Sequence, residues 1–115
     1  MTATPLTQKK CIPCEAGTPP LNHRQIAHYQ KELSLPWQVH DDKKISHQFV
    51  FGSFKESIHF VNQVADLAET EGHHPDIHVS YKKVLIELLT HAIDGLSEND
   101  FVLASKIEQL VHATA

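Results

Sequence analysis

Two hydrophobic rhythms alternate along the chain. Behind Asn22, a residue suited to cap a helix, Ile26, Tyr29 and Leu33 recur at helical spacing, and Pro36 stops the run, predicting a helix over 22–34. Trp37 and Val39 then alternate with polar neighbours. After Asp41-Asp42-Lys43-Lys44, residues Ile45, His47, Phe49 and Phe51 share one face of a second strand. Ser53 with Glu56 matches a capping box and opens a helix to about Thr70. Its apolar stripe is Phe54, Ile58, Val61, Ala65 and Ala68, widened by Phe60, Val64 and Leu67. Lys55, His59, Asn62 and Asp66 take the solvated side, with Glu69 at the edge. Past Gly72, Ile77, Val79 and Tyr81 alternate with Asp76, His78 and Ser80, and Val84 to Leu89 follow at once. So short a link demands antiparallel pairing, with the turn at Lys82-Lys83. Ser97 with Asp100 starts a last helix, Glu98 to Val111, carrying Phe101, Ala104, Ile107 and Val111. The order α-β-β-α-β-β-α predicts an α+β fold: a four-stranded antiparallel sheet with three helices packed on one face.

Residues 1–20 hold Pro5, Pro13, Pro19 and Pro20 with Gly17 and read as a flexible N-terminal segment; residues 21–115 form the expected domain. At 115 residues the chain suits a single core. A net charge of −4, with no basic patch interleaved with aromatics, argues against direct nucleic-acid binding. No apolar run has the length of a membrane span and no secretory segment is evident, so the expected location is cytoplasmic. Cys11 and Cys14 form one CxxC without a second pair to complete a zinc site and without a preceding strand; they read as free reduced thiols.

Ten histidines are the unusual feature of the composition. With the turn at Lys82-Lys83, Tyr81 pairs with Val84, His78 faces Glu87, and His74 falls opposite His91. Opposed residues share a sheet face, so His74 and His91 meet at the open end of the hairpin, with His73 beside them and Glu69 one turn back on the helix. Such a cluster suits general acid/base chemistry, could bind a metal, or could be polar surface. Taken singly, Asp100 reads as a helix-start carboxylate, Tyr81 as a core-edge aromatic and His78 as a cross-strand partner of Glu87.

The ordered set Glu69, His73-His74-Pro75, Tyr81, His91 and Asp100 resembles the signature of the pterin-4a-carbinolamine dehydratases. So do Leu35-Pro36-Trp37, Phe49-Val50-Phe51, Val64-Ala65 with Ala68-Glu69, Leu89-Thr90-His91 and Gly95-Leu96-Ser97. The resemblance implies a metal-free hydro-lyase without organic cofactor. It would convert 4a-hydroxytetrahydropterin to quinonoid dihydropterin and so recycle the pterin of aromatic amino acid hydroxylases. It implies acid/base roles for His73 and His91, pterin binding by His74, orientation or pterin contact by Glu69, and support from Asp100. It also implies a homodimer or homotetramer and functional coupling to a hydroxylase. The alternative it carries is a dimerisation cofactor or regulatory module for a partner protein, and Leu103, Ile107 and Leu110 on the last helix offer a face for a homodimer. Gly72 stands where many members have Asp or Asn, Asn99 where animal members commonly have Arg, and Ile93 where some have Cys.

Overall fold

The structure, a computed structural model, describes residues 5–12 and 17–114. Helix α1 spans His23–Gln30, strand β1 Gln38–His40, β2 Lys44–Val50, helix α2 Phe54–Glu71, β3 Asp76–Ser80, β4 Lys83–Leu88, and helix α3 Glu98–Thr114. The order is the expected α-β-β-α-β-β-α, and the sheet is antiparallel throughout, with spatial order β1-β2-β4-β3. Both hairpins therefore join through β2 and β4, in the register Ile45↔Leu88, His47↔Ile86 and Phe49↔Val84. Those pairs put one apolar row per strand on the same face, where Phe49 meets Phe60 of α2 at 4.8 Å between ring centroids. On the other face Gln48, Val50, His78 and Ser80 are exposed.

Local chemistry sets the helix ends. Asn22 accepts from Gln25 N at 2.8 Å while the Gln25 side chain accepts from Asn22 N at 2.9 Å, a closed capping box. Ser53 accepts from Glu56 N, but the Glu56 carboxylate reaches one residue further than a capping box requires, to Gly52 N. Gly72 ends α2 in the left-handed region, at φ 69°. Asn and Asp are the residues that tolerate this region best after glycine, so a glycine here meets the same backbone demand. The buried residues of α2 are Ser57, Phe60, Val64 and Ala68. The predicted stripe is thus rotated: Phe54 and Ala65, expected inside, are exposed.

The second hairpin turns one residue earlier than expected. Tyr81 and Lys82 form the turn, with Tyr81 at φ 56°, and the ladder reads Ser80↔Lys83, Val79↔Val84, Ile77↔Ile86 and Asp76↔Glu87. The pairing is shifted by two residues, which preserves which face each side chain takes; alternation alone cannot separate the two registers. The main-chain bond from Phe51 N to Lys82 O, 2.8 Å, belongs to the observed one. Tyr81 is consequently a 65% exposed turn residue, not a core-edge aromatic. His78 lies opposite Leu85 and reaches Glu87 diagonally, Nε2 to Oε1 at 2.8 Å. The predicted His74–His91 pairing does not form, because β3 begins at Asp76 and β4 ends at Leu88.

Helix α3 is buried on nearly every side: Phe101, Val102, Leu103, Ala104 and Ile107 are all fully covered. Leu103 and Ile107 are thus core residues and give no free homodimer face. Part of this cover comes from the N-terminal segment. Leu6, in a three-residue 3-10 turn, is 3% exposed and joins the core cluster. Further along, Leu21 N donates to Leu96 O at 2.8 Å, and the chain passes so close that a Cβ on Gly95 would stand 2.7 Å from Pro20 Cβ. Among the described residues, no helix is long and apolar enough to cross a membrane.

Candidate active site

His73 and His74 follow the left-handed turn at Gly72. His91 begins a 3-10 turn, His91–Ile93, that leaves β4, and the bridge Thr90↔Gly95 closes the loop around it. The three histidines line one cleft of about 270 Å³, together with Thr90, Asn99 and Ile12. Extended past the strand ends, the observed register would set His74 against Leu89 and His91 against Gly72, and all four residues line that cleft. The gathering of the histidines expected from the sequence therefore holds, although the pairing that predicted it does not.

The three imidazoles have different surroundings. His73, with its side chain 12% exposed, places Nε2 2.6 Å from Asp100 Oδ1. Asp100 is fully buried, and its other oxygen accepts from Thr90 Oγ1 at 2.8 Å and from Ser97 N at 3.0 Å. The helix-start role read for Asp100 is real: its carboxylate holds the backbone N–H at the front of α3. The same carboxylate fixes His73. An ionised carboxylate only accepts, so His73 Nε2 carries the proton and Nδ1 is the nitrogen left for other chemistry. His74 Nε2 stands 2.9 Å from Glu69 Oε2, and both side chains are largely in solvent. The His91 imidazole makes no hydrogen bond or ion pair with a described residue, and His91 is exposed.

Several of the other histidines have local partners elsewhere: His40 with Ser46, His23 with Asp42, and His47 against Trp37 and Phe49. Among the described residues, no group of three or more His, Cys, Asp or Glu is arranged to hold a metal ion. Cys11 is a free thiol; burial, with the Glu71 carboxylate adding to it, pushes its pKa up to about 12. Cys14 lies outside the described residues.

Next in sequence to the cleft residues Gly72 and Asn99 stand two carboxylates that sequence reasoning did not single out, Glu71 and Glu98. Glu71 accepts from Cys11 N at 2.9 Å and from Lys106 Nζ at 2.7 Å. Glu98 accepts from Tyr29 Oη and Lys9 Nζ. Burial works to raise the Glu71 pKa, but the bonds from Lys106 and Cys11 outweigh it and hold the group below 4.5. The Tyr29 hydroxyl, helped by Lys9, does the same for Glu98. A carboxylate whose pKa falls on folding binds its proton more weakly in the folded chain, so this stabilisation is full above about pH 4.5 and is lost as pH drops through the lower folded values. Thermal unfolding followed from pH 7 to 3 is expected to show a falling melting temperature below that point. The fall should be shallower in Glu71→Gln, which starts from lower stability at neutral pH; an unchanged acid limb in that variant would remove Glu71 from the account.

Comparison with known proteins bears on what this arrangement is for. Residues 19–110 match the family described as pterin 4 alpha carbinolamine dehydratase. A protein of Alkaliphilus metalliredigens, provisionally named pterin-4-alpha-carbinolamine dehydratase, is 49% identical over 104 residues, covering 90% of this chain and 94% of that relative. Provisionally named counterparts from Rickettsia bellii and Nitrosomonas europaea are each 45% identical over 105 residues, 91% of this chain and 93% and 92% of theirs. A crystal structure described as a transcriptional coactivator/pterin dehydratase from Brucella melitensis superposes with a TM-score of 0.74 at 29% identity, over 79% of this chain and 97% of that one. A pterin dehydratase-like protein identified as a RuBisCO assembly factor in the alpha-carboxysome superposes with a TM-score of 0.55 at 27% identity, over 64% and 84%. The match takes in both hairpins, the three histidines of the cleft and the start of α3, and on that extent this chain belongs to the pterin 4 alpha carbinolamine dehydratase family.

Proposed function

We propose that the chain dehydrates 4a-hydroxytetrahydropterin to quinonoid dihydropterin by histidine acid/base catalysis, returning a pterin spent by an aromatic amino acid hydroxylase. The observation that carries this reading is the division of labour in the cleft: one imidazole locked by a buried carboxylate, one unengaged, both facing the same space. The reaction breaks the C4a–O bond, and the hydroxyl leaves with a proton as water. A ring nitrogen gives up its proton, and its electron pair forms the new C=N bond. One group must donate while another accepts, and imidazole does either near neutral pH.

His91 and His73 fill those two roles. His91 can change protonation without breaking a contact, and His73 is held by Asp100 with Nδ1 available. His74, braced by Glu69, binds the pterin at the open side. No metal or organic cofactor enters this scheme, and the working protein is a cytoplasmic homodimer or homotetramer. The test is stopped-flow dehydration of enzymatically generated carbinolamine. Wild type is expected to exceed the buffer rate, and His91→Ala to lose about 10²-fold in kcat, the size of one acid/base contribution. A wild type no faster than buffer removes the enzyme reading, whereas a fully active His91→Ala removes only the assignment.

A second reading is a non-enzymatic partner module. The two structural relatives, one described as a coactivator and the other as an assembly factor, favour it. So does the exposure of Val50, Phe54, Val79 and Tyr81 at one end of the sheet.

A further inference from the structure

We infer that the end of the described stretch 5–12 is a wall of the substrate cleft, with Ile12 as the apolar surface on which one face of the flat pterin ring rests and Asn99 as the residue that positions it; the inference rests on the dehydratase reading above. Among the described residues Ile12 is the most exposed large hydrophobic, 68% accessible, yet its backbone is held at both ends. Asn99 accepts from Ile12 N at 2.9 Å and donates through Nδ2 to Ile12 O at 2.5 Å, so one buried side-chain amide pairs with the main chain as a neighbouring strand would. One residue earlier, Cys11 N donates to Glu71 and the Cys11 thiol to Asn99 O at 3.5 Å. Lys9 is tied to Glu98. Anchors thus come from the end of α2 and the start of α3, the two helix ends that also deliver His73 and Asp100.

A singly exposed apolar side chain is ordinary; what sets Ile12 apart is that a buried amide fixes its backbone at the edge of the cleft, an arrangement that a ligand resting on the side chain explains. The cleft supplies imidazoles for the polar edge of a heterocycle, and its apolar lining comes from Ile12, Leu89 and Ala92. Of these, Ile12 has the largest apolar surface free to meet a ring. A flat bicycle with hydrogen-bonding edges and apolar faces fits that division.

The test measures kcat and KM for carbinolamines bearing a 6-methyl or a 6-dihydroxypropyl substituent, with equilibrium binding of 7,8-dihydropterin as a second readout. Ile12→Ala is expected to raise KM about fivefold for both substrates and to weaken dihydropterin binding equally, with kcat within about twofold, because a lost apolar contact removes binding common to ground and transition states. Ile12→Leu should restore KM, and no Ile12 variant should shift the melting temperature. Asn99→Ala should raise KM similarly, and adding Ile12→Ala to it should change little more, since the arm is already released. Unchanged KM and binding in Ile12→Ala, with an active wild type, overturn the wall and leave the dehydratase reading intact. A rise confined to the dihydroxypropyl substrate overturns the ring-face placement. Fully additive effects overturn the positioning role of Asn99. A wild type that neither binds nor turns over pterin overturns both readings.

Discussion

Asp100→Asn is expected to lower kcat by about 10³-fold while leaving KM within a few-fold, a loss of the size associated with a general acid or base held in the wrong state. Asp100 Oδ1 and Oδ2 together accept from His73 Nε2, Thr90 Oγ1 and Ser97 N. An asparagine of the same shape has one oxygen and one N–H₂ group. The main-chain N–H of Ser97 cannot turn away, so the oxygen must face it, and the amide hydrogens then point at His73. His73 Nε2 becomes an acceptor, its proton moves to Nδ1, and the nitrogen proposed to act as the base is occupied. The proposed binding groups on His74 and Ile12 are untouched. The checking measurements are single-turnover kinetics and the ¹⁵N chemical shifts of the His73 ring, which report the tautomer directly. A variant with full kcat, or one that retains the Nε2–H form, would show that Asp100 serves only as the front of α3. Asp100→Ala is the less informative substitution, because it also strips two buried donors of their acceptor.

Much of this arrangement was legible in the chain before its fold. Periodicity placed each helix and strand within a few residues, and alternation assigned the correct face to Ile45, His47 and Phe49. Register was the part that pattern could not carry. A two-residue slip leaves every side chain on its own face, and the actual turn uses Tyr81 in the left-handed region, where an aromatic is uncommon and gives no advance notice. The gathering of the histidines survived because the cleft is formed by loops beyond both strand ends. Roles within the cluster were not in the pattern at all: Asp100 looks like any helix-start carboxylate until His73 is seen 2.6 Å away. The contacts of the N-terminal segment are hidden for a related reason. Prolines and polar residues read as lead-in, and nothing local says that Leu6 is buried or that Asn99 binds the backbone of Ile12. Those contacts join residues some ninety positions apart, and no local signal encodes them.

Glu108 shows the same gap on the stability side, and its removal is expected to have the largest effect on folding. It lies in α3, 3% exposed, and its carboxylate gathers the loop between α1 and β1: Ser34 N donates to Oε1 at 2.9 Å, Leu35 N to Oε2 at 2.7 Å, and Trp37 Nε1 to Oε2 at 2.9 Å. Pro36 interrupts this stretch and offers no N–H, so the loop cannot complete a helical turn, and a side chain from a distant helix supplies the acceptor instead. Trp37 is 1% exposed and carries a donor that must be met. Glu108→Ala leaves the Leu35 N–H and the buried Trp37 indole N–H without their acceptor, and with them the N–H of the exposed Ser34; it is expected to cost about 3–5 kcal/mol, lowering the melting temperature by roughly 10–20 °C for a domain of this size. Glu108→Gln keeps one oxygen, enough for Leu35 and Trp37 if it takes the inner position, and should cost about half as much. In Trp37→Phe, where one donor is already gone, the further loss on Glu108→Ala should shrink by about 1 kcal/mol. Because Glu108 lies outside the histidine cleft, the variants should dehydrate carbinolamine at the wild-type rate when assayed well below their melting temperatures. A Glu108→Ala protein within 1 kcal/mol of wild type, by the linear denaturant dependence of unfolding, would mean that the loop is held by its apolar packing and that the carboxylate is incidental.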